Sequence, residues 1–127
     1  MDRIGDDQAG FSIRYDPVVG QVEVAGWGFW NVDVATAFAT KVMAALRERP
    51  EAKQLLLDMG ELKPMRDEGQ KSFANLIRVL PSLGVVRTHI ATTSQLTKLQ
   101  LVRIATETGT SASIQWVHST NALARNA

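Results

Sequence analysis

At 127 residues, 45% of them hydrophobic, the chain is long enough for one domain around one sizeable core and too short for two. Fourteen basic residues against thirteen acidic ones leave a net charge of +1 with the cations scattered, which argues against a nucleic-acid surface built on phosphate neutralisation. Cysteine is absent, so there is no disulfide or thiolate chemistry; His89 and His118 alone are too few for a structural zinc site, and neither metal nor cofactor is expected. The first residues lack the apolar core of a secretory signal, and no stretch approaches the roughly 20 apolar residues of a membrane span, so the expectation is a cytoplasmic protein.

Residues 1–10, MDRIGDDQAG, are polar and acidic and read as a flexible leader to a domain spanning 11–127. Phe11, Ile13 and Tyr15 alternate with Ser12 and Arg14, Asp16-Pro17 opens a turn, and Val22 and Val24 alternate with Gln21 and Glu23. Two short antiparallel strands are predicted. Gly26-Trp27-Gly28-Phe29-Trp30 then leads to Asn31 as the cap of a first helix, whose apolar stripe is Val34, Phe38, Val42, Ala45 and Leu46 and which ends by Pro50.

The run Gln54 to Met59, QLLLDM, shows no alternation and reads as a parallel strand buried on both faces. Asp67 stands at a predicted helix N-cap, with Gln70 three residues on to complete a capping box. Phe73, Leu76, Ile77 and Leu80 follow at helical spacing, and Pro81 marks the stop. Thr88 to Thr93 is predicted as a third parallel strand, and Ser94 as the cap of a helix that turns Leu99, Val102 and Ala105 to the sheet and stops at Gly109. Ala112 to Val117 makes a last strand, and Ser119-Thr120-Asn121 caps a short terminal helix, Ala122 to Arg125. The order is β-β-α-β-α-β-α-β-α, an α/β fold with a mixed, mostly parallel sheet and helices packed on it.

Within this order the segment Leu55 to Gly69, LLLDMGELKPMRDEG, joins the buried strand to the Phe73 helix. It resembles the junction of the STAS domain, the SpoIIAA-like or anti-sigma-factor-antagonist family, in which a strand ending Leu-Asp-Leu leads through a loop to Asp-Ser-Ser-Gly at the start of a helix. The resemblance runs from about Phe11 to Leu123, with Asp58 and Gly69 at the matching ends. Between them the pattern breaks: Arg66 stands where the family has its aspartate, and Asp67 and Glu68 where it has its two serines. Partner-switching members are phosphorylated on the second serine, which adds nearly two negative charges. Glu68 has no hydroxyl, so the phosphoserine switch is expected to be absent, with Glu68 at most a permanent imitation of it. Acids in a first helical turn also serve simply to complement the helix dipole.

A second resemblance is to the SpoIIAA-like group that lacks the phosphorylatable motif and is related in shape to the CRAL-TRIO lipid carriers. It rests on Gly28-Phe29-Trp30, on the helix QLTKLQLVRIA, and on Ile114-Gln115-Trp116 before the Ala-Leu segment. Together these resemblances imply a non-catalytic bacterial binding protein, with two candidate kinds of partner. The first is a protein, met by Met65, Arg66, Asp67 and Glu68 and the face of the following helix. The second is a small apolar ligand, carried between the first helix, the Phe73 helix and the sheet, with peripheral membrane contact as an extension and a homodimer compatible with either.

Two further groups of residues carry candidate chemistry. Trp27, Phe29 and Trp30, spaced by glycines, make either an exposed apolar lip for a ligand or interface, or a hydrophobic staple in which Trp30 folds onto Ala35. His118, Asp58 and Ser94 fall at the carboxyl ends of the predicted parallel strands, where α/β sheets place ligands, but no Gly-x-Ser-x-Gly elbow surrounds Ser94 and no catalytic residue is assigned. The hydroxyls of Thr92, Thr93, Ser94 and Thr97, with Lys98, crowd one helix N-terminus without any phosphate-binding glycine motif, and Ser94 reads as an ordinary cap.

Overall fold

The computed structural model describes residues 2–117. Its strands are β1 (Asp2–Gly5), β2 (Ala9–Asp16), β3 (Gln21–Gly28), β4 (Gln54–Leu62), β5 (Arg87–Thr92) and β6 (Ile114–Val117), and its helices are α1 (Val32–Glu48), α2 (Asp67–Val79) and α3 (Gln95–Thr108). The terminal helix predicted over Ala122 to Arg125 lies outside the described residues.

The strands form one mixed sheet in the order β1-β2-β3-β4-β5-β6, antiparallel from β1 to β3 and parallel from β3 to β6. Because the parallel part never reverses direction, each crossover steps to the next strand on the same side. Right-handed crossovers of that kind place α1, α2 and α3 on one face of the sheet. The core lies there: Val22, Val24, Leu55, Leu57, Met59 and Ile90 point into it against Phe38, Val42, Phe73, Leu76, Leu101 and Ile104. The opposite face carries Leu56, Asp58, His89 and Gln115, which follow from the alternation and the register. Leu56 and Ala91 are nonetheless buried, so β4 is closed to water on both faces as its unbroken apolar run predicts.

The expected flexible leader is instead strand β1. Ile4 pairs with Phe11 across an antiparallel ladder, and the turn between them is closed by Asp6, whose Oδ1 accepts the Gln8 and Ala9 N–H groups at 2.8 and 3.2 Å. Composition misled here because an edge strand exposes most of its residues; it needs backbone pairing more than apolar side chains. Strand β2 accordingly starts at Ala9, ahead of the expected domain boundary at Phe11.

Helix α1 begins where the Asn31 side chain accepts the Val34 N–H at 2.9 Å, and it stops before Pro50, which disfavours helical backbone in the preceding residue. The predicted cap of α2 moves by one residue. Arg66 takes the extended cap conformation without a side-chain bond, Asp67 is the first helical residue, and the Gln70 amide donates to the Met65 carbonyl instead of reaching back to Asp67. Near the end of β4 the register slips between Ala25 and Trp27: one β3 residue there faces two of β4, which returns Leu62 to the helix side.

Candidate functional site

The carboxyl ends of β3, β4 and β5 and the first turns of α1, α2 and α3 meet at one end of the molecule. The end of β4 and the residues between it and α2 are held there by side chains from beyond β5. Thr93 Oγ1 donates to the Gly60 carbonyl at 2.6 Å, and Thr97 Oγ1 donates to that of Leu62 at 3.1 Å. Gln100 grips Met65 at both backbone groups: its Oε1 accepts the Met65 N–H at 2.8 Å and its Nε2 donates to the Met65 carbonyl at 2.9 Å. Gln70 adds a second donor to the same carbonyl at 2.9 Å, and Arg103 in turn donates to Gln70. On the other side the Lys63 N–H donates to the Gly28 carbonyl at 3.0 Å. A loop without regular structure thus finds partners for the polar groups it cannot pair within itself.

This network determines which of the expected contact residues are presented. Met65, expected at the surface, is only 3% exposed, and its side chain fits under α2 where Gly69 leaves room: a Cβ there would stand 3.3 Å from Met65 Cβ. Arg66, Asp67 and Glu68 are exposed. The Arg66 guanidinium lies 5.5 Å from the centre of the Phe29 ring, linking the loop to the segment ahead of α1 through a cation–π contact.

The three aromatics separate. Trp30 is 1% exposed and belongs to the core, donating its indole N–H to the Gly10 carbonyl at 3.0 Å and packing on Phe38 with ring centres 4.8 Å apart. It is not available as a surface lip; Ala35, its expected staple partner, is buried as well. Trp27 is half-buried, its indole N–H donating to the Asp6 carbonyl at 2.7 Å and Arg3 lying 4.5 Å over its ring, so the β1–β2 turn has claimed it. Phe29 remains, 44% exposed beside Val32.

Of the three residues expected to face the sheet from helix α3, Ala105 does and Leu99 and Val102 do not. Leu99 is 64% exposed and Val102 also faces outward, while Thr97, Leu101, Ile104 and Ala105 are buried. Sequence reasoning chose the more apolar stripe. The structure uses the one carrying Thr97 and Gln100, because the loop carbonyls beneath need donors more than Leu99 needs burial. That stripe, Thr97, Gln100, Leu101 and Ile104, has the i, i+3, i+4, i+7 spacing and was the available signal.

The space between α1, α2 and the sheet, expected to hold an apolar ligand, is filled: Phe38 stacks on Phe73 at 5.3 Å, surrounded by Val42, Leu57 and Leu76. A shallow groove of about 280 Å³ runs between α2 and α3 and is lined chiefly by polar side chains, among them Asp67, Lys71, Arg78, Arg103 and Glu107. A second groove, of about 490 Å³, lies at the far end between the β2–β3 hairpin and the end of α1. Ser94 is an ordinary cap, its Oγ accepting the Thr97 N–H at 3.2 Å, and His118 lies outside the described residues. His89 is buried on the face opposite α1, α2 and α3, where burial first and the Arg87 guanidinium second hold its pKa below the usual imidazole value. Among the described residues no helix is long and apolar enough to cross a membrane.

No protein-family sequence model matches the chain, and no curated protein matches it by sequence. Solved structures do match in shape. The phosphorylated form of SpoIIAA, a cell fate determinant of Bacillus, superposes with a TM-score of 0.63 at 13% identity over 92% of this chain and 99% of its own. The solution structure of the protein TM1081 superposes with a TM-score of 0.62 at 12% identity over 98% of this chain and 94% of its own. The α/β architecture, with three helices among the described residues packed on a six-stranded mixed sheet, is therefore the STAS or SpoIIAA-like fold.

Proposed function

We propose that the chain is a regulatory protein-interaction module that acts by binding, without catalysis and without a phosphoserine switch, in the cytoplasm. Its recognition surface is Arg66, Asp67 and Glu68 with Phe29 and the exposed face of α2. The observation that carries this reading is the loop before α2: tied down at Met65 and at the end of β4 through Gly60 and Leu62, it presents three charged side chains in a row at a helix start. Likeness of fold to a phosphorylated cell fate determinant supports a regulatory role. Glu68 stands where the resemblance puts the phosphorylated serine, which supports a surface that holds one charge state permanently.

A photo-crosslinking amino acid placed at Glu68, and in a second variant at Val18 on the β2–β3 turn, tests this in lysate of the source cells. A discrete protein adduct from position 68 and none from position 18 is expected. Equal labelling at both positions, or an apolar small molecule retained by the purified protein in native mass spectrometry, overturns the reading.

A further inference from the structure

We propose that Gln100 is the positioning residue of the recognition loop: from α3 it presets the loop's shape, so that the surface formed by Arg66 to Glu68 exists before any partner arrives. The inference rests on the proposed recognition role of that loop and adds to it the residue that controls its form. A glutamine amide carries a donor and an acceptor side by side, as a peptide group does, and Gln100 uses both on one residue, at 2.8 and 2.9 Å from the Met65 N–H and carbonyl. It thus acts as one rung of a β-ladder supplied by a helix. With both Met65 backbone groups satisfied, the Met65 side chain stays under Gly69, and Arg66 enters its extended cap conformation at φ −77° and ψ 173°. A loop ordered in advance loses less conformational freedom on binding, so its contacts are realised as affinity and selectivity.

Gln70 cannot replace this grip. It reaches only the Met65 carbonyl, and it sits on α2 itself, so it moves with the helix it would have to position. Gln100 is anchored independently, on a helix that also holds Leu62 through Thr97.

Backbone hydrogen exchange, read at Met65 and at Leu57 in the core strand, tests the assignment without a partner, so its failure is distinct from a failure of the recognition reading. In Gln100→Leu the Met65 N–H is expected to exchange roughly tenfold faster or more, with Leu57 unchanged, as loss of a local hydrogen bond requires. Gln100→Glu supplies a readout that packing alone does not move. Protonated, the carboxyl offers the same donor and acceptor pair; ionised, it offers acceptors only and opposes the Met65 carbonyl. Protection of Met65 relative to Leu57 should therefore be near the parent's at low pH and fall as the pH rises through the carboxyl titration. If Gln100→Leu does not fold, the nearly isosteric Glu variant carries the test alone. Unchanged protection at Met65 in Gln100→Leu, or a Gln100→Glu loop equally protected on both sides of that titration, overturns the proposal.

Discussion

Trp30 and Phe29 are adjacent in sequence and opposite in consequence. Trp30 joins Phe11, Phe38 and Phe73 in a chain of ring contacts that ties β2 to both α1 and α2. Gly26 makes room for it, since a Cβ at that position would lie 2.6 Å from the indole. Trp30→Ala should cost about 3–5 kcal/mol by denaturant titration, through the cavity and the orphaned Gly10 carbonyl. Phe29→Ala should change stability by no more than about 0.5 kcal/mol while weakening crosslinking from position 68. A severe loss at Phe29 would place its ring in the core. His89 supplies a second test at this scale. Its Nδ1 is buried without a hydrogen bond, and its folded pKa is depressed while the unfolded value stays near about 6.5. The neutral form is therefore the one that the fold favours. Its contribution is complete above about pH 6.5 and is lost as the pH falls through the lower folded value. Denaturation midpoints between pH 7 and pH 5 should fall less for His89→Gln than for the parent; identical slopes would show that His89 is not the group responsible.

Among the elements, β1 departs most from expectation, and its role can be measured. It pairs with β2 over Asp2 to Gly5, and its turn holds Trp27 through the Asp6 carbonyl. Gly28, at φ +78°, lets β3 pass close to that turn, where any Cβ would meet the Gln8 carbonyl oxygen at 1.9 Å. Deleting residues 1–7 exposes the β2 edge and removes the Arg3 and Asp6 contacts of the Trp27 ring, so the melting temperature should drop by several degrees and Trp fluorescence shift to the red. A frayed leader would be removed without either change. The same logic explains α3, where the polar pair Thr97 and Gln100 faces the loop and Leu99 is left outside.

At the level of the whole molecule, the unreversed order from β3 to β6 collects the three helix starts on one face and at one end, where the loop before α2 is presented. Glu68 there has no side-chain hydroxyl. Incubation with a serine kinase that acts on the phosphorylatable members of this fold should leave the peptide 60–72 unmodified, as read by peptide mapping. Ser72, one turn further along α2, is the nearby hydroxyl, and phosphate found on it would restore a switch at a shifted position.

Local chemistry was enough for much of the architecture. The unbroken Leu55 to Leu57 run, the Asn31 and Ser94 caps, the Gly109 stop and the spacing of Phe73, Leu76 and Ile77 each reflect a preference of residues near one another in sequence, and each is found where expected. The loop residues Arg66, Asp67 and Glu68 are exposed, while Met65, expected beside them, is buried. What escaped depends on partners distant in the chain. Strand β1 needs β2 to exist as a strand, Trp30 is core because Gly10, Phe11 and Phe38 close around it, and Met65 is buried because Gln100, 35 residues later, takes both its backbone groups. Hydrophobicity and periodicity describe a residue's own preference, whereas burial at these positions is decided by hydrogen-bond demands that arise only when the elements are brought together.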